Sequence, residues 1–179
     1  ERVERFDRAA ILREAYPEFV YFCEDAMKWL GFGMTWMQGD IAEWMQYSPD
    51  RAMTQAQRGE AKSTIACIYG VWGIVQAPKT RVLLFSGSGD KAEENGKLLH
   101  GMIHHWEPLQ YLMPDKAAGD RTAVQEFDVH YALKGVDKSA SVRAMGLTAS
   151  SQGYRADILL PDDIETTKHG LTATQRSLL

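Results

Sequence analysis

Two apolar stretches that follow each other closely limit the folds open to this chain. The stretch "STIACIYGVWGIVQ" (63–76) is apolar nearly all round and ends before Pro78, which predicts a buried helix. The stretch "RVLLFS" (81–86) is a continuous apolar run, typical of a strand inside a parallel sheet. A helix and a strand that are both buried need further layers around them. Together with the alternation of strands and helices along the rest of the chain, the pair indicates an α/β domain.

The rest of the chain alternates between helical and extended patterns. The first thirty residues read as helical, because apolar residues recur at three- and four-residue spacing in "EFVYFCEDAMKWL". Further helices are expected in "GDIAEWMQYS" (39–48) and from Asp90, as the cap, to about Trp106. Further strand candidates are "RAMTQA" (51–56), "VQEFDVHYAL" (124–133), "SVRAMGLTA" (141–149) and "ADILLPDD" (156–163). This alternation predicts a mainly parallel sheet flanked by helices.

Composition and charge argue against several classes of protein. Hydrophobic residues make up 45% of the 179 residues and charged residues 25%, which is ordinary for a soluble globular domain. The net charge of −4 argues against a protein that coats nucleic acid generally. No apolar run approaches the ~20 residues that span a bilayer. Cys23 and Cys67 form no CxxC pair, so reduced, buried thiols of a cytosolic protein are expected.

Residues 55–64, "QAQRGEAKST", end in a Lys-Ser pair like the one that closes a phosphate-binding loop. The pattern G-x-x-x-x-G-K-[ST] puts Ala56 and Ala61 where glycines normally stand, and only Gly59 lies nearby. The expected order of strand, loop and helix directs backbone N–H groups at an anion. If either alanine must adopt a positive φ, it costs about 1 kcal/mol relative to glycine. The alternative is a plain strand–turn–helix with a lysine near the helix start.

Within this loop, particular side chains suit particular parts of a nucleotide. Lys62 is expected to reach the β/γ-phosphates, and Ser63 to ligate Mg²⁺ through its hydroxyl. Thr64 takes that role if the register shifts by one. Arg58 is a candidate for the γ-phosphate, with a surface ion pair as the alternative.

The strand candidate "DILLPDD" ends in carboxylates about one hundred residues after Lys62. An apolar strand ending in acids is typical of the second half of a P-loop site. Asp162 is expected to hold Mg²⁺, and either Asp163 or Glu165 to orient or deprotonate the attacking water. The alternative is that these acids are solvated and cap a following helix.

Two residues outside the loop fit the same site. Gln38 lies upstream, where its amide offers a donor and an acceptor to both hydrogen-bonding edges of adenine. A polar helix-surface residue is the alternative. Arg155 precedes the acidic strand and is a candidate arginine finger, in the same subunit or for a neighbouring one. A surface ion pair is again the alternative.

Two other patterns are better explained by structure than by chemistry. "FSGSGDKAEEN" resembles a second glycine-rich anion loop, but an ordinary strand-to-helix turn is the favoured interpretation. His100, His104 and His105 place histidines one helical turn apart, as in a metal pair. No Cys or acidic partner shares their register, which favours surface or core histidines.

Taken in order, these elements resemble the ATPase domain of the large terminase subunit of tailed bacteriophages, in particular the short-tailed-phage branch. In that family the phosphate loop typically carries an Arg ahead of the Gly and ends in Lys-Ser. A G-x-R-A-D turn then enters an apolar strand that ends in two aspartates and a Glu. The residues that match are Arg58, Gly59, Lys62, Ser63, Gly153, Arg155, Asp157, Asp162, Asp163 and Glu165. The resemblance covers about residues 35–170, and Ala61 in place of Gly is its main departure.

The resemblance implies a fold and a set of nucleotide contacts. The fold is a P-loop NTPase (RecA/ASCE-like) domain over residues 35–179, preceded by a helical segment over 1–34. The nuclease domain of the family would follow beyond this chain. The implied nucleotide-binding residues are Gln38, Arg58, Gly59, Glu60, Ala61, Lys62, Ser63 and Thr64.

The resemblance also implies a role in virus assembly. Mg-ATP hydrolysis would drive double-stranded viral DNA into a procapsid in the host cytoplasm, away from any membrane. Portal protein, the small terminase subunit and further copies in a ring are the implied partners. Three alternatives remain open: a helicase-type P-loop motor, a nucleotide-binding assembly module that hydrolyses weakly, and a non-catalytic α/β domain.

Overall fold

The computed structural model describes residues 2–147 and 153–164. The helices are α1 (Arg2–Ala15), α2 (Phe19–Trp29), α3 (Trp36–Tyr47), α4 (Lys62–Gln76), α5 (Gly89–His105) and α6 (Tyr131–Lys134). The strands are β1 (Val82–Ser86), β2 (Thr122–Ala123), β3 (Glu126–Phe127), β4 (Val142–Gly146) and β5 (Ile158–Asp162). Two 3₁₀ helices, Glu107–Leu112 and Lys116–Ala118, follow α5.

The strands form one sheet in the order β2-β3-β4-β1-β5. β1 is parallel to both β4 and β5, and Ser86 is level with Gly146 and Asp162. β2 and β3 form a short antiparallel hairpin that joins the edge of β4. The predicted α/β class is confirmed, but the sheet is mixed. The weakly alternating stretch 124–133 supplies the antiparallel strand β3 rather than another parallel one.

α4 and α5 pack on one face of the sheet. A Cβ added at Gly70 of α4 would lie 3.0 Å from the side chain of Val82 and 3.3 Å from that of Leu160. Glycine therefore lets the helix approach the strands closely. Leu99 of α5 is fully buried in the same core. The apolar stretch 63–76 is the buried helix that the sequence predicts.

α1, α2 and α3 lie on the far side of α4 from the sheet. The predicted apolar stripe of α2 is confirmed, since Phe19, Phe22, Cys23 and Ala26 are all fully buried. The Phe19 ring packs edge-on against Tyr69 of α4, with centroids 5.0 Å apart. The N-terminal helices thus share one core with the rest of the described chain. The expected division at residue 34 stays a prediction.

Both cysteines are free and buried, as the sequence predicts. Burial raises the pKa of the Cys23 thiol to about 12. It also raises the pKa of Cys67, with a further contribution from the nearby charge of Asp162. Both thiols are therefore protonated and unreactive at neutral pH.

Two expectations about local structure are wrong. Residues 51–56 form no strand. β5 hydrogen-bonds to β1 on one side, and within 2–147 and 153–164 no strand pairs with its other edge. The cap of α5 is Ser88, whose hydroxyl accepts from the Lys91 amide at 3.3 Å, whereas Asp90 lies inside the first turn.

None of the helices in the described part of the chain combines the length and hydropathy needed to cross a membrane.

Candidate functional site

The carboxyl ends of the parallel strands and the start of α4 meet at one edge of the sheet. Ser86 and Asp162 end β1 and β5, and Lys62 is the first residue of α4. In open α/β sheets, ligands bind in the crevice outside the carboxyl ends of the strands. This edge also carries the two stretches singled out from the sequence.

Ser63 and Asp162 lie in direct contact. The Ser63 hydroxyl donates to Oδ1 of Asp162 at 2.7 Å. Among the residues that the structure describes, it is Ser63 rather than Thr64 that makes this contact; Thr64 is half-buried in the same turn. Two hard oxygen donors from distant parts of the chain therefore face one point.

Lys62 is folded back over the loop that precedes it. Its ammonium group donates to the carbonyl of Ala56 at 2.6 Å and to that of Gln57 at 2.7 Å. The Gln57 side chain in turn donates to the Glu60 carboxylate at 3.0 Å. Lys62 thus holds the loop closed, with its ammonium group hydrogen-bonded to backbone carbonyl oxygens at the edge of the site.

Unusual backbone conformations concentrate at this site. In the described part of the chain, Ala61 (φ 52°) and Asp163 (φ 47°) are the non-glycine residues with positive φ. Gly59 in the same loop also has a positive φ, of 98°. The left-handed region is unfavourable for alanine, so the surrounding structure must hold Ala61 there. Ala56, at the other glycine position of the pattern, is not left-handed.

The amino end of α4 is open to an anion. Its N-cap residue is Ala61, which provides no side-chain hydrogen bond to the first turn. The first N–H groups of a helix have no partner inside the helix, and the helix dipole favours negative charge there. The start of α4 is therefore suited to a phosphate.

Asp163 follows the end of β5 and forms an ion pair with Lys91 of α5 at 2.5 Å. The hydrogen bond and charge of Lys91 lower the pKa of Asp163, and the charges of Arg58 and Lys62 add to this effect. Arg58 is exposed, and its influence on Asp163 indicates that its charge lies on the same side of the molecule. The predicted basic and acidic residues therefore converge.

Three residues of the site were not predicted from the sequence. Lys91 contacts Asp163, while the Asn95 amide donates to Asp162 at 3.1 Å and to the Ser86 hydroxyl at 3.2 Å. Lys91 and Asn95 are four residues apart, so they project from one face of α5. That spacing is visible in the sequence, but which face of the helix meets the strand ends is not.

A cavity of about 470 Å³ lies between α3 and the start of the loop. Its lining includes apolar side chains of α3, one carboxylate and the segment that leads into the loop: Met37, Asp40, Ile41, Trp44 and 53–57. Gln38 is buried at the start of α3. Its side-chain oxygen Oε1 accepts a hydrogen bond from the Thr35 backbone amide at 2.9 Å, which completes a capping box. The structure thus gives Gln38 a helix-capping role, and its contact with adenine stays a prediction.

Two predicted residues stand apart from these contacts. Arg155 is exposed and precedes β5, near Asp157, which pairs with Arg81 at the amino end of β1 at 2.8 Å. Arg155 therefore lies at the opposite end of β5 from Asp162, and its role as an arginine finger, in the same subunit or for a neighbouring one, stays a prediction. Glu165 lies outside the described residues.

The two patterns set aside in the sequence have structural roles. The "GSGD" turn is a strand-to-helix connection from β1 into α5, as expected. The rings of His100 and His104 stack with centroids 3.8 Å apart. In residues 2–147 and 153–164, no group of three or more His, Cys, Asp or Glu side chains is arranged to hold a metal ion.

Comparison with known proteins relates the chain to a phage protein. The chain is 31% identical over 173 residues to the large terminase subunit of Enterobacteria phage T3, and the match covers 96% of this chain. The chain spans about 29% of the length of that relative. No family model matches the chain. The similarity therefore concerns one segment of a large terminase subunit.

Proposed function

We propose that this chain is the ATP-hydrolysing motor segment of a DNA-packaging terminase, acting on viral DNA at a procapsid in the host cytoplasm. The observation that carries the proposal is the 2.7 Å contact between Ser63 and Asp162, which joins the phosphate-loop candidate to the acidic strand end. The similarity to the phage T3 protein over nearly the whole chain supports it.

The residues present fit a magnesium ion. Mg²⁺ prefers oxygen donors and is usually held by one or two carboxylates together with waters and substrate phosphates. The Ser63 hydroxyl and the Asp162 carboxylate supply such donors beside the amino end of α4. When bound, the ion would neutralise charge on the β- and γ-phosphates of ATP.

The phosphates of ATP fit the loop around Lys62. In the proposed complex Lys62 exchanges the Ala56 and Gln57 carbonyls for β- and γ-phosphate oxygens. The open N–H groups at the start of α4 bind the same phosphates. The cavity beside α3 takes the base, with Trp44 as a stacking surface. Gln38 would have to exchange its hydrogen bond to the Thr35 amide for the edge of the base.

The hydrolytic step needs a group that orients water. Asp163 is held as an anion beside Lys91 and is one candidate, and Glu165 is the other. Arg155, on the exposed approach to β5, supplies positive charge to the site of a neighbouring copy. This assignment requires assembly into a ring, with portal protein and the small terminase subunit as further partners.

An in vitro packaging assay tests the motor role. Purified protein is mixed with procapsids, small subunit, double-stranded DNA and ATP, and DNA protected from added nuclease is measured. The proposal predicts protection that requires ATP and magnesium. DNA-stimulated ATP hydrolysis with strand separation and no protection would favour a helicase-type motor instead.

Two observations favour a second candidate, a nucleotide-binding assembly module that hydrolyses weakly. Ala61 occupies a left-handed position where glycine is normal, and Asp163 is engaged by Lys91 rather than free to face water. Such a module would bind ATP tightly and turn it over slowly. Measuring the affinity and the turnover number on the same sample separates the two candidates.

A further inference from the structure

Asn95 connects the proposed metal position to the interior of the sheet. Its side-chain amide donates to Oδ2 of Asp162 at 3.1 Å and to the buried Ser86 hydroxyl at 3.2 Å. A carboxylate accepts hydrogen bonds and donates none, so the atom facing Asp162 must be the amide nitrogen. We propose that Asn95 is a positioning residue, which orients the Asp162 carboxylate so that Oδ1 faces Ser63. This role rests on the proposed function.

The two oxygens of Asp162 have different partners. Oδ1 accepts from the Ser63 hydroxyl, while Oδ2 accepts from Asn95. Each carboxylate oxygen has two lone pairs, so Oδ1 retains capacity for a cation. Asn95 thereby fixes the plane of the carboxylate without occupying the oxygen that would bind metal.

Asp162 needs such support because of where it lies. β5 is an edge strand of the described sheet, with a partner only on the β1 side. The residue that follows, Asp163, has a left-handed backbone. The end of β5 therefore has few backbone contacts of its own to set the direction of the Asp162 side chain.

The position of Asn95 is itself well fixed. Its backbone carbonyl lies 4.0 Å from the buried Cys67 thiol of α4, and its side chain is anchored on Ser86 at the end of β1. Asn95 thus ties α4, α5, β1 and β5 together at one point. Partners of this kind around metal ligands change metal affinity by about 10–100-fold when they are removed.

The chemistry of the side chain matters as well as its position. Lys91, one turn earlier on α5, places a positive charge on Asp163. A positive charge at position 95 would instead lie beside Asp162 and repel a bound cation. A neutral donor such as asparagine orients the carboxylate and leaves its charge for the metal.

The test compares metal binding in Asn95 variants of the intact protein. Asn95→Ala removes the donor, and Asn95→Leu removes it while keeping a similar volume and adding no charge. Manganese affinity is measured by electron paramagnetic resonance with a non-hydrolysable ATP analogue bound, and analogue affinity is measured separately without metal. Lys97→Ala, an exposed position on the same helix that pairs with Glu93, is the control.

The proposal predicts that both Asn95 variants weaken manganese binding by about tenfold or more. Analogue affinity without metal, and the Lys97→Ala protein, should stay at wild-type values. If Asn95→Ala does not fold, Asn95→Leu, which leaves no large cavity, decides the question alone. Wild-type manganese affinity in a folded Asn95 variant overturns the positioning role and leaves the proposed function intact. Failure of the wild-type protein to bind the analogue at all overturns both.

Discussion

The hydroxyl of Ser63 and the carboxylate of Asp162 are hydrogen-bonded at 2.7 Å although 99 positions separate them in the chain. The contact joins the first turn of α4 to the last residue of β5. It is the geometry expected where a phosphate loop and an acidic strand end share one nucleotide and one cation. The proposed function depends on this relationship more than on any other.

Replacing Lys62 by alanine should reduce ATP turnover by orders of magnitude while the protein remains folded. The side chain is half-buried, and it closes the loop through hydrogen bonds to the Ala56 and Gln57 carbonyls. Its removal takes away charge at the phosphates and little of the core. Steady-state ATPase assays and circular dichroism check this, with the exposed Lys79→Ala as control. Retained turnover in Lys62→Ala would reject the phosphate-loop assignment.

The two alanines at the glycine positions of the loop should respond oppositely to glycine. Ala61→Gly should stabilise the fold by roughly 0.5–1 kcal/mol, because relief of left-handed strain outweighs the added freedom of the unfolded chain. Ala56→Gly has no such strain to relieve and should destabilise the fold by roughly 0.5–1 kcal/mol. Urea denaturation of both variants measures the difference. Equal effects at the two positions would show that Ala61 is not held left-handed in solution.

Stability should fall as the pH drops below the ordinary pKa of histidine, in part because of His100. Desolvation, followed by the charge of His104, lowers the pKa of His100 in the folded state. Below about pH 6.5 the unfolded state then binds more protons than the folded state, so this contribution is lost as the pH falls. His100→Phe should flatten the dependence, since a neutral ring keeps the contact with Phe127.

Free energies of unfolding between pH 5 and 7.5 measure this effect. His105→Gln, at an exposed position on the same helix, serves as the control and should change the slope less. An unchanged slope in His100→Phe would assign the acid sensitivity to other groups.

Local patterns gave the main elements of the fold. The period of apolar residues predicts α2 and α4, and the continuous apolar runs predict β1 and β5. α4 and β1 are largely buried, which requires apolar side chains along most of their length, and α2 buries one apolar stripe. The mixed sheet was not predictable in the same way, since the hairpin strands β2 and β3 are two residues each and leave almost no pattern.

The stretch 51–56 shows where local patterns mislead. Its composition suits a strand, but a strand also needs a partner, and in the described part of the chain none pairs with the outer edge of β5. Pairing is a property of the whole sheet and cannot be read from six residues.

The candidate site was predicted only in part, for a similar reason. Ser63 and Asp162 stand in a recognisable order of loop, helix and acidic strand, so their meeting could be expected. Lys91 and Asn95 reach the site only because one particular face of α5 is turned toward the strand ends. The packing of α5 against β1 and β4 sets that orientation. The capping role of Gln38 likewise follows from the contact with Thr35 at the start of α3.

Binding of a fluorescent ATP analogue with and without magnesium tests the central claim most directly. The wild-type protein should bind the analogue more tightly with magnesium, and Asp162→Asn should lose that gain while keeping its affinity without metal. Asp157→Asn, a carboxylate change at the opposite end of β5, should behave as wild type in this assay. Equal affinity of the wild-type protein with and without magnesium, or a full magnesium effect in Asp162→Asn, would contradict a shared nucleotide and metal site.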